Sequence, residues 1–240
     1  MGNKKHFYDT DYFNVIDCED KAYFLGLLYA DGYSIDHIST EGFGITLQKQ
    51  DNDILLKLKE CIKSDYPIIE IPGVGNNKDK SMFYVYGKGI KEKLDKVGLF
   101  QRKTFKITFP NFLQENLMHH FIRGYFDGDG CIWNGKRKIM TVKDKACKNG
   151  FRDRIVHNVK FNITSNTSFI TELQYYLNDK IQLPITKLYF RNKDNLNCAT
   201  VEYSGRGNIK KFYNYIYDDA TIYLTRKKIK FEEILNKNEV

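Results

Sequence analysis

No two of the five cysteines in this 240-residue chain form a CxxC pair. Cys18, Cys61, Cys131, Cys147 and Cys198 are odd in number and widely scattered, which argues against a zinc ribbon or a disulfide framework and for a reducing interior. The opening stretch MGNKKHFYDTDYFNVIDCED has no apolar h-region, and no apolar run approaches a membrane span. MGNKKH lacks the Ser or Thr that N-myristoylation expects at its sixth position. These absences predict a soluble intracellular protein with no membrane partner and no targeting signal.

Hydrophobic residues make up 42% of the chain, enough for a packed fold of one large or two small domains. Net charge is +8 and aromatic residues are 15%, a balance that favours a polyanionic partner. The charge is concentrated. Residues 133–160 hold nine basic side chains against Asp144 and Asp153, a net +7 and nearly the whole excess.

The chain repeats itself in four blocks that keep their order. FLGLLYADGYSI (24–35) is similar to IRGYFDGDGCI (122–132), setting Asp31 against Asp129 at an offset of 98. FGITLQKQDNDIL (43–55) matches FNITSNTSFITEL (161–173), and YVYGKGIKEK (84–93) matches EYSGRGNIKK (202–211), both at 118. LFQRKTFK (99–106) matches YLTRKKIK (223–230) at 124. The step from 98 to 118 places a 20-residue insertion inside the basic segment. It should lengthen a hairpin over 131–164.

Periodicity reads as helix, two strands, helix, two strands, helix in each repeat. The first helix should stop at a C-cap glycine, Gly32, and the first hairpin should turn at Thr40–Gly42. Residues 1–104 form the first repeat, 105–116 a linker containing Pro110, and 117–240 the second repeat with the basic extension 133–160. Gly26 and Ala30 lie four apart, as do Gly124 and Gly128. Small residues at that spacing share a helix face and let two backbones approach closely.

FLGLLYADG (24–32) and IRGYFDGDG (122–130) resemble the signature of the LAGLIDADG homing endonucleases. The resemblance, carried by the repeats over essentially the whole chain, implies an α+β fold. Two pseudo-symmetric αββαββα repeats would form a saddle of antiparallel strands, with the motif helices packed at its centre. Asp31 and Asp129 would then meet at the bottom of the helix pair. Two such carboxylates repel each other, and the helix C-termini add negative potential. A divalent cation relieves both and suits hard oxygen ligands, with the backbone of Ala30 and Gly128 as further donors. The implied activity is a staggered double-strand break in an asymmetric DNA target. Mg²⁺ would be the cofactor, Mn²⁺ would substitute, and Ca²⁺ would support binding without cleavage.

FDGDG taken alone could be a surface turn, and it lacks the glutamate an EF-hand needs at position twelve. Tyr29 stands where the second copy has Asp127, which counts against Asp127 as an essential residue. The family places a lysine near each centre, so the pairs Arg102–Lys103 and Arg226–Lys227 make Lys103 and Lys227 the candidates, ahead of Lys106 and Lys228. Gln48 is a candidate polar residue beside the metals, with Ser165 read as its mate. The sheets should lie in the major groove, with Tyr33, Lys49, Lys78, Lys80, Arg137, Lys138, Arg152, Arg154, Lys160, Lys187, Arg191 and Lys193 toward DNA. His119 and His120 read as surface residues at a helix entry rather than metal ligands, and Trp133 fits either core or interface. A single chain with two repeats should act as a monomer. An intron maturase bound to intron RNA, or a non-cleaving DNA binder, is the alternative. An intein fits badly, because the chain starts Met-Gly and ends KNEV.

Overall fold

A computed structural model describes residues 6–37, 40–103, 106–143, 150–192 and 195–236. The first repeat runs α1 (Glu19–Asp31), β1 (Gly32–His37), β2 (Thr40–Gln48), a 3₁₀ turn (Lys49–Asp51), α2 (Asn52–Cys61), β3 (Ile68–Ile71), β4 (Lys80–Tyr86) and α3 (Lys88–Lys96). The second runs α4 (Glu115–Asp129), β5 (Gly130–Lys143), β6 (Phe151–Asn166), α5 (Thr167–Ile181), β7 (Tyr189–Asn192), β8 (Asn195–Ser204), α6 (Arg206–Tyr217) and α7 (Thr225–Asn236). Each repeat forms a four-stranded antiparallel sheet, ordered β1-β2-β4-β3 and β5-β6-β8-β7. The α+β architecture is the expected one.

Register makes the repeat exact at the level of residues. Gly32 pairs with Ile45 and Ile45 with Phe83, while Gly130 pairs with Ile163 and Ile163 with Val201. Alternation puts Phe43, Ile45, Phe83 and Val85 on one buried face, and Phe161, Ile163, Val201 and Tyr203 on the other sheet's equivalent. Helix α1 has no polar face: every residue from Ala22 to Tyr29 is buried. A helix apolar all round belongs at the centre of a molecule, and α1 lies there against α4.

Several local expectations need correction. Helix α1 does stop at its C-cap glycine, Gly32, as α4 stops at Gly130, but both caps are extended (φ −75° and −76°) and not left-handed. A Cβ on Gly32 would come within 2.6 Å of the Leu28 carbonyl oxygen, so close approach, not backbone sign, calls for glycine there. Thr40–Gly42 is strand, paired with His37 through Ile35, and is not the turn. The expected linker gives up its last two residues to α4, which starts at Glu115. Helix α7 is one element more than the periodicity predicts for the second repeat. The lengthened hairpin is present as the 14- and 16-residue strands β5 and β6.

Buried polar contacts tie the repeats together. Arg123 on α4 is fully buried and donates to Glu19 of α1 (2.6 Å), to the carbonyls of Ile216 and Ile222 (both 2.8 Å) and to His120 Nδ1 (2.9 Å). Asp127 accepts from Tyr23 of the other repeat (2.9 Å), from Tyr217 (3.0 Å) and from the Leu224 amide (2.7 Å). Arg226 Nε spans both oxygens of the buried Asp51 at 2.9 and 3.0 Å, joining α7 to the first repeat.

Candidate active site

The two motif helices cross where their side chains vanish. A Cβ on Gly26 would lie 2.0 Å from the Phe121 carbonyl oxygen, and one on Gly124 would lie 2.0 Å from that of Tyr23. One on Gly128 would sit 2.2 Å from the Ala30 Cβ and 3.0 Å from Asp31 Oδ2. The glycines thus set the distance between α1 and α4, and they deliver Asp31 and Asp129, the last residues of the two helices, to one place.

Both aspartates keep open surface, yet the surrounding protein strips much of the water from their carboxyls. Loss of surrounding water, then the Asp129 charge, pushes the Asp31 carboxyl up to about 6. Asp129 is raised as well, by the same loss of water, against the pull of Lys103, Lys227 and the Tyr125 hydroxyl. Lys103 donates to the carbonyls of Leu28 (2.8 Å), Tyr29 (2.5 Å) and Ala30 (2.6 Å). Lys227 donates to those of Phe126 (2.6 Å), Gly128 (3.2 Å) and Gly130 (2.6 Å). Each ammonium caps the last turn of its own repeat's motif helix, where carbonyls lack partners and the dipole is negative. Burial lowers both lysines to about 8. Their charges act across the pseudo-twofold: Lys227 acts more strongly than Lys103 on Asp31, and Lys103 more strongly than Lys227 on Asp129.

Two carboxylates whose ionisation is resisted, with the Ala30 and Gly128 carbonyls beside them, form an oxygen donor set that fits a divalent cation. Those carbonyls already accept from the lysines. A metal there would use their remaining lone pairs. A cavity of about 210 Å³ opens beside Asp129, lined by Lys103, Ile107, Tyr125, Ser165 and Cys198 among others. At the far end of α4, His119, His120 and Asp219 bring ligand atoms within 4.8 Å of one another, the one such group among the described residues. His120 is buried there as an acceptor of Arg123, not at the surface as expected, and His119 contacts Asp219 at 3.1 Å.

Gln48 lies in register with Lys80, and Asn166 with Cys198, so the counterpart of Gln48 is Asn166 and not Ser165. Asn166 is committed elsewhere, capping α5 at the Phe169 amide and donating to Ile107. Lys106 is exposed, and Lys228 turns to Glu232 and the Tyr223 ring. Among residues expected toward DNA, Tyr33, Lys78, Lys80, Lys187 and Arg191 are exposed. Lys49 pairs with Glu70 at 2.7 Å. Lys160 pairs with Glu202 at 2.6 Å and lies 5.9 Å over the half-open Trp133, its partner across β5 and β6. Lys138 is exposed but alternates onto the face opposite Trp133. Arg137, Arg152 and Arg154 lie on the long hairpin in register with Val156, Val142 and Ile139, their side chains outside the described set. Lys193 also lies outside the described residues.

The repeated motifs do not single out Tyr125, whose hydroxyl donates to the Thr164 carbonyl at 3.3 Å, lies close enough to Asp129 to favour its charged form, and has Leu27 as its counterpart. Nor do they single out the Asp51–Arg226 pair. Tyr125 stands four residues before Asp129 on α4, a spacing that could have flagged it, whereas the contact of Asp51 with Arg226 between repeats leaves no periodic trace.

This is the two-repeat LAGLIDADG fold. The crystal structure of the I-LtrWI LAGLIDADG homing endonuclease bound to target DNA is similar over 94% of this chain and 90% of that one, with 15% identity and a TM-score of 0.57. The LAGLIDADG meganuclease I-AabMI bound to uncleaved DNA covers 89% of each chain at 15% identity and a TM-score of 0.55. I-SmaMI bound to an uncleaved DNA target with calcium ions is 16% identical over 89% of this chain and 90% of that one, with a TM-score of 0.53. No protein-family model matches the sequence, and no curated protein matches it. No helix among the described residues is long and apolar enough to cross a membrane.

Proposed function

We propose that the protein is a site-specific DNA endonuclease that makes a staggered double-strand break with divalent metal held by Asp31 and Asp129. The observation that carries this reading is the convergence of two carboxylates at the end of a glycine-packed helix pair, between two sheets whose strands start at those residues. Proteins with the same fold, described as homing endonucleases, are bound to DNA. Mg²⁺ is the metal this oxygen set suits, with Mn²⁺ as substitute. Bound there, it supplies an activated water and a Lewis acid for the leaving oxygen. Asp31 and Asp129 hold it, one to each strand cut. Lys103 and Lys227 neutralise the helix ends and keep positive charge beside the phosphate path. The two internal repeats take the place of two subunits, so the chain acts as a monomer.

The test uses DNA that joins the flanks of the protein's own gene, incubated with Mg²⁺ or EDTA. Cleavage should need Mg²⁺, while Ca²⁺ should support binding alone. Asp31→Asn and Asp129→Asn should each abolish double-strand cleavage and leave binding within a few fold. If either variant cuts both strands at the normal rate, the shared metal site is wrong.

A further inference from the structure

The two sheets have the same register but not the same chemistry on the faces they leave open. Burial of Phe83 and Val85 turns their neighbours Met82, Tyr84 and Tyr86 to the other face of β4. The 118-residue offset equates these with Thr200, Glu202 and Ser204 on β8. Across β1 and β2 the Tyr33 ring covers Gly44, where a Cβ would come within 2.3 Å of it, and the Tyr33 hydroxyl reaches the Met82 sulfur at 3.5 Å. Tyr84 and Tyr86 lie 4.8 Å apart, ring to ring. Tyr33, Tyr86 and the edge residue Ile71 are each 38–39% exposed. On the second sheet the matching face carries the Glu202–Lys160 pair and the bonded hydroxyls of Thr164 and Thr200. Thr46, Gln48 and Lys80 share the first face, and Trp133 and Tyr189 open on the second, so the first is the richer in aromatic and aliphatic groups and the second the richer in polar and charged ones.

The first face begins two residues after Asp31 and runs outward along β1 and β4. If Asp31 and Asp129 cut DNA, as proposed above, the duplex on either side of the cut crosses these two faces. The C5 methyl of thymine is the apolar group that base pairs offer in the major groove. We infer that the first repeat reads its half-site mainly through thymine methyls, packed on Tyr33, Ile71, Met82 and Tyr84, while the second reads polar base edges and phosphates. The target should therefore be chemically lopsided, with a thymine-rich half beneath the first repeat.

The test starts with the full chain in Ca²⁺ and a randomised duplex pool, from which bound sequences are recovered. Deoxyuridine then replaces thymidine in one half of the selected site at a time. Each lost methyl should weaken binding about fourfold in one half, and less than about twofold in the other. The double substitution of the exposed Ile71 and the half-buried Met82, Ile71→Ala with Met82→Ala, should abolish most of that penalty while keeping a cooperative thermal transition. Equal penalties in both halves, no penalty in either, or a penalty untouched by the double substitution would each overturn the inference while DNA binding stood. Recovery of no sequence above background would overturn the endonuclease reading itself.

Discussion

Replacing Gly26 with alanine asks whether the glycines set the helix spacing. The new Cβ would lie 2.0 Å from the Phe121 carbonyl oxygen and 2.8 Å from the Tyr125 nitrogen. An ordinary carbon–oxygen contact is about 3.3 Å, so α1 and α4 must separate by roughly 1.3 Å at this point. Both obstacles are backbone, and no rotamer can relieve them. Overpacking of this kind costs about 3 kcal/mol or more, against about 1 kcal/mol that alanine returns as helix propensity. The net loss of about 2 kcal/mol should lower the melting temperature by roughly 4–8 °C in a chain of this size. Gly124→Ala should behave alike, because its Cβ meets the Tyr23 carbonyl oxygen at the same 2.0 Å. Gly207→Ala is the control: it lies within α6 with nothing near its Cβ, and should be neutral or slightly stabilising. Parted helices also part Asp31 from Asp129, so Gly26→Ala should lose cleavage even where it is fully folded. A Gly26→Ala protein that melts at or above the parent temperature and still cuts would refute the spacing role.

Arg226→Ala leaves Asp51 buried without its cation and should cost about 2–3 kcal/mol, less than a fully buried pair because Arg226 is one-third open; adding Asp51→Ala should recover part of that loss in chemical denaturation. Without metal, Asp31 titrates near 6 in the fold against an ordinary 3.8, so its contribution is fully present below 3.8 and lost as pH rises through about 6. Mg²⁺ binds the ionised form, so it should raise the melting temperature more at pH 8 than at pH 5; an equal shift at both would exclude Asp31 as ligand. Lys103 and Lys227 lose their charge near 8, so cleavage measured in saturating metal should decline above that pH. Neutralising Arg137, Lys138, Arg152 and Arg154 together should flatten the salt dependence of DNA binding by up to about 3–4 in log–log slope, and an unchanged slope would remove the long hairpin from the DNA interface.

What was legible in the sequence was whatever the two repeats share. Asp31 and Asp129, the small residues at four-residue spacing and the paired Lys103 and Lys227 survive in both copies, and the structure brings these together. The mate of Gln48 was legible too: the 118-residue offset that sets Ile45 against Ile163 sets Gln48 against Asn166 and Leu47 against Ser165, and the strand register agrees. Illegible were the residues where the copies part. Tyr29 reaches the Val97 carbonyl at 2.5 Å within its own repeat, whereas Asp127 at the matching position collects three donors, one from across the interface. Arg226 crosses to Asp51 while Arg102 stays exposed.

Fusion into one chain explains why such differences are tolerated. In a symmetric dimer, a substitution at the interface appears twice and must suit itself across the axis. In a single chain each side can change alone, so Tyr125 can lean on Asp129 while Leu27 leaves Asp31 without a matching hydroxyl. The lysine caps do not have that freedom. Each must neutralise the end of a helix that finishes in a carboxylate, and no change in the other repeat relieves that local repulsion. That requirement is why Lys103 and Lys227 match when so much around them does not.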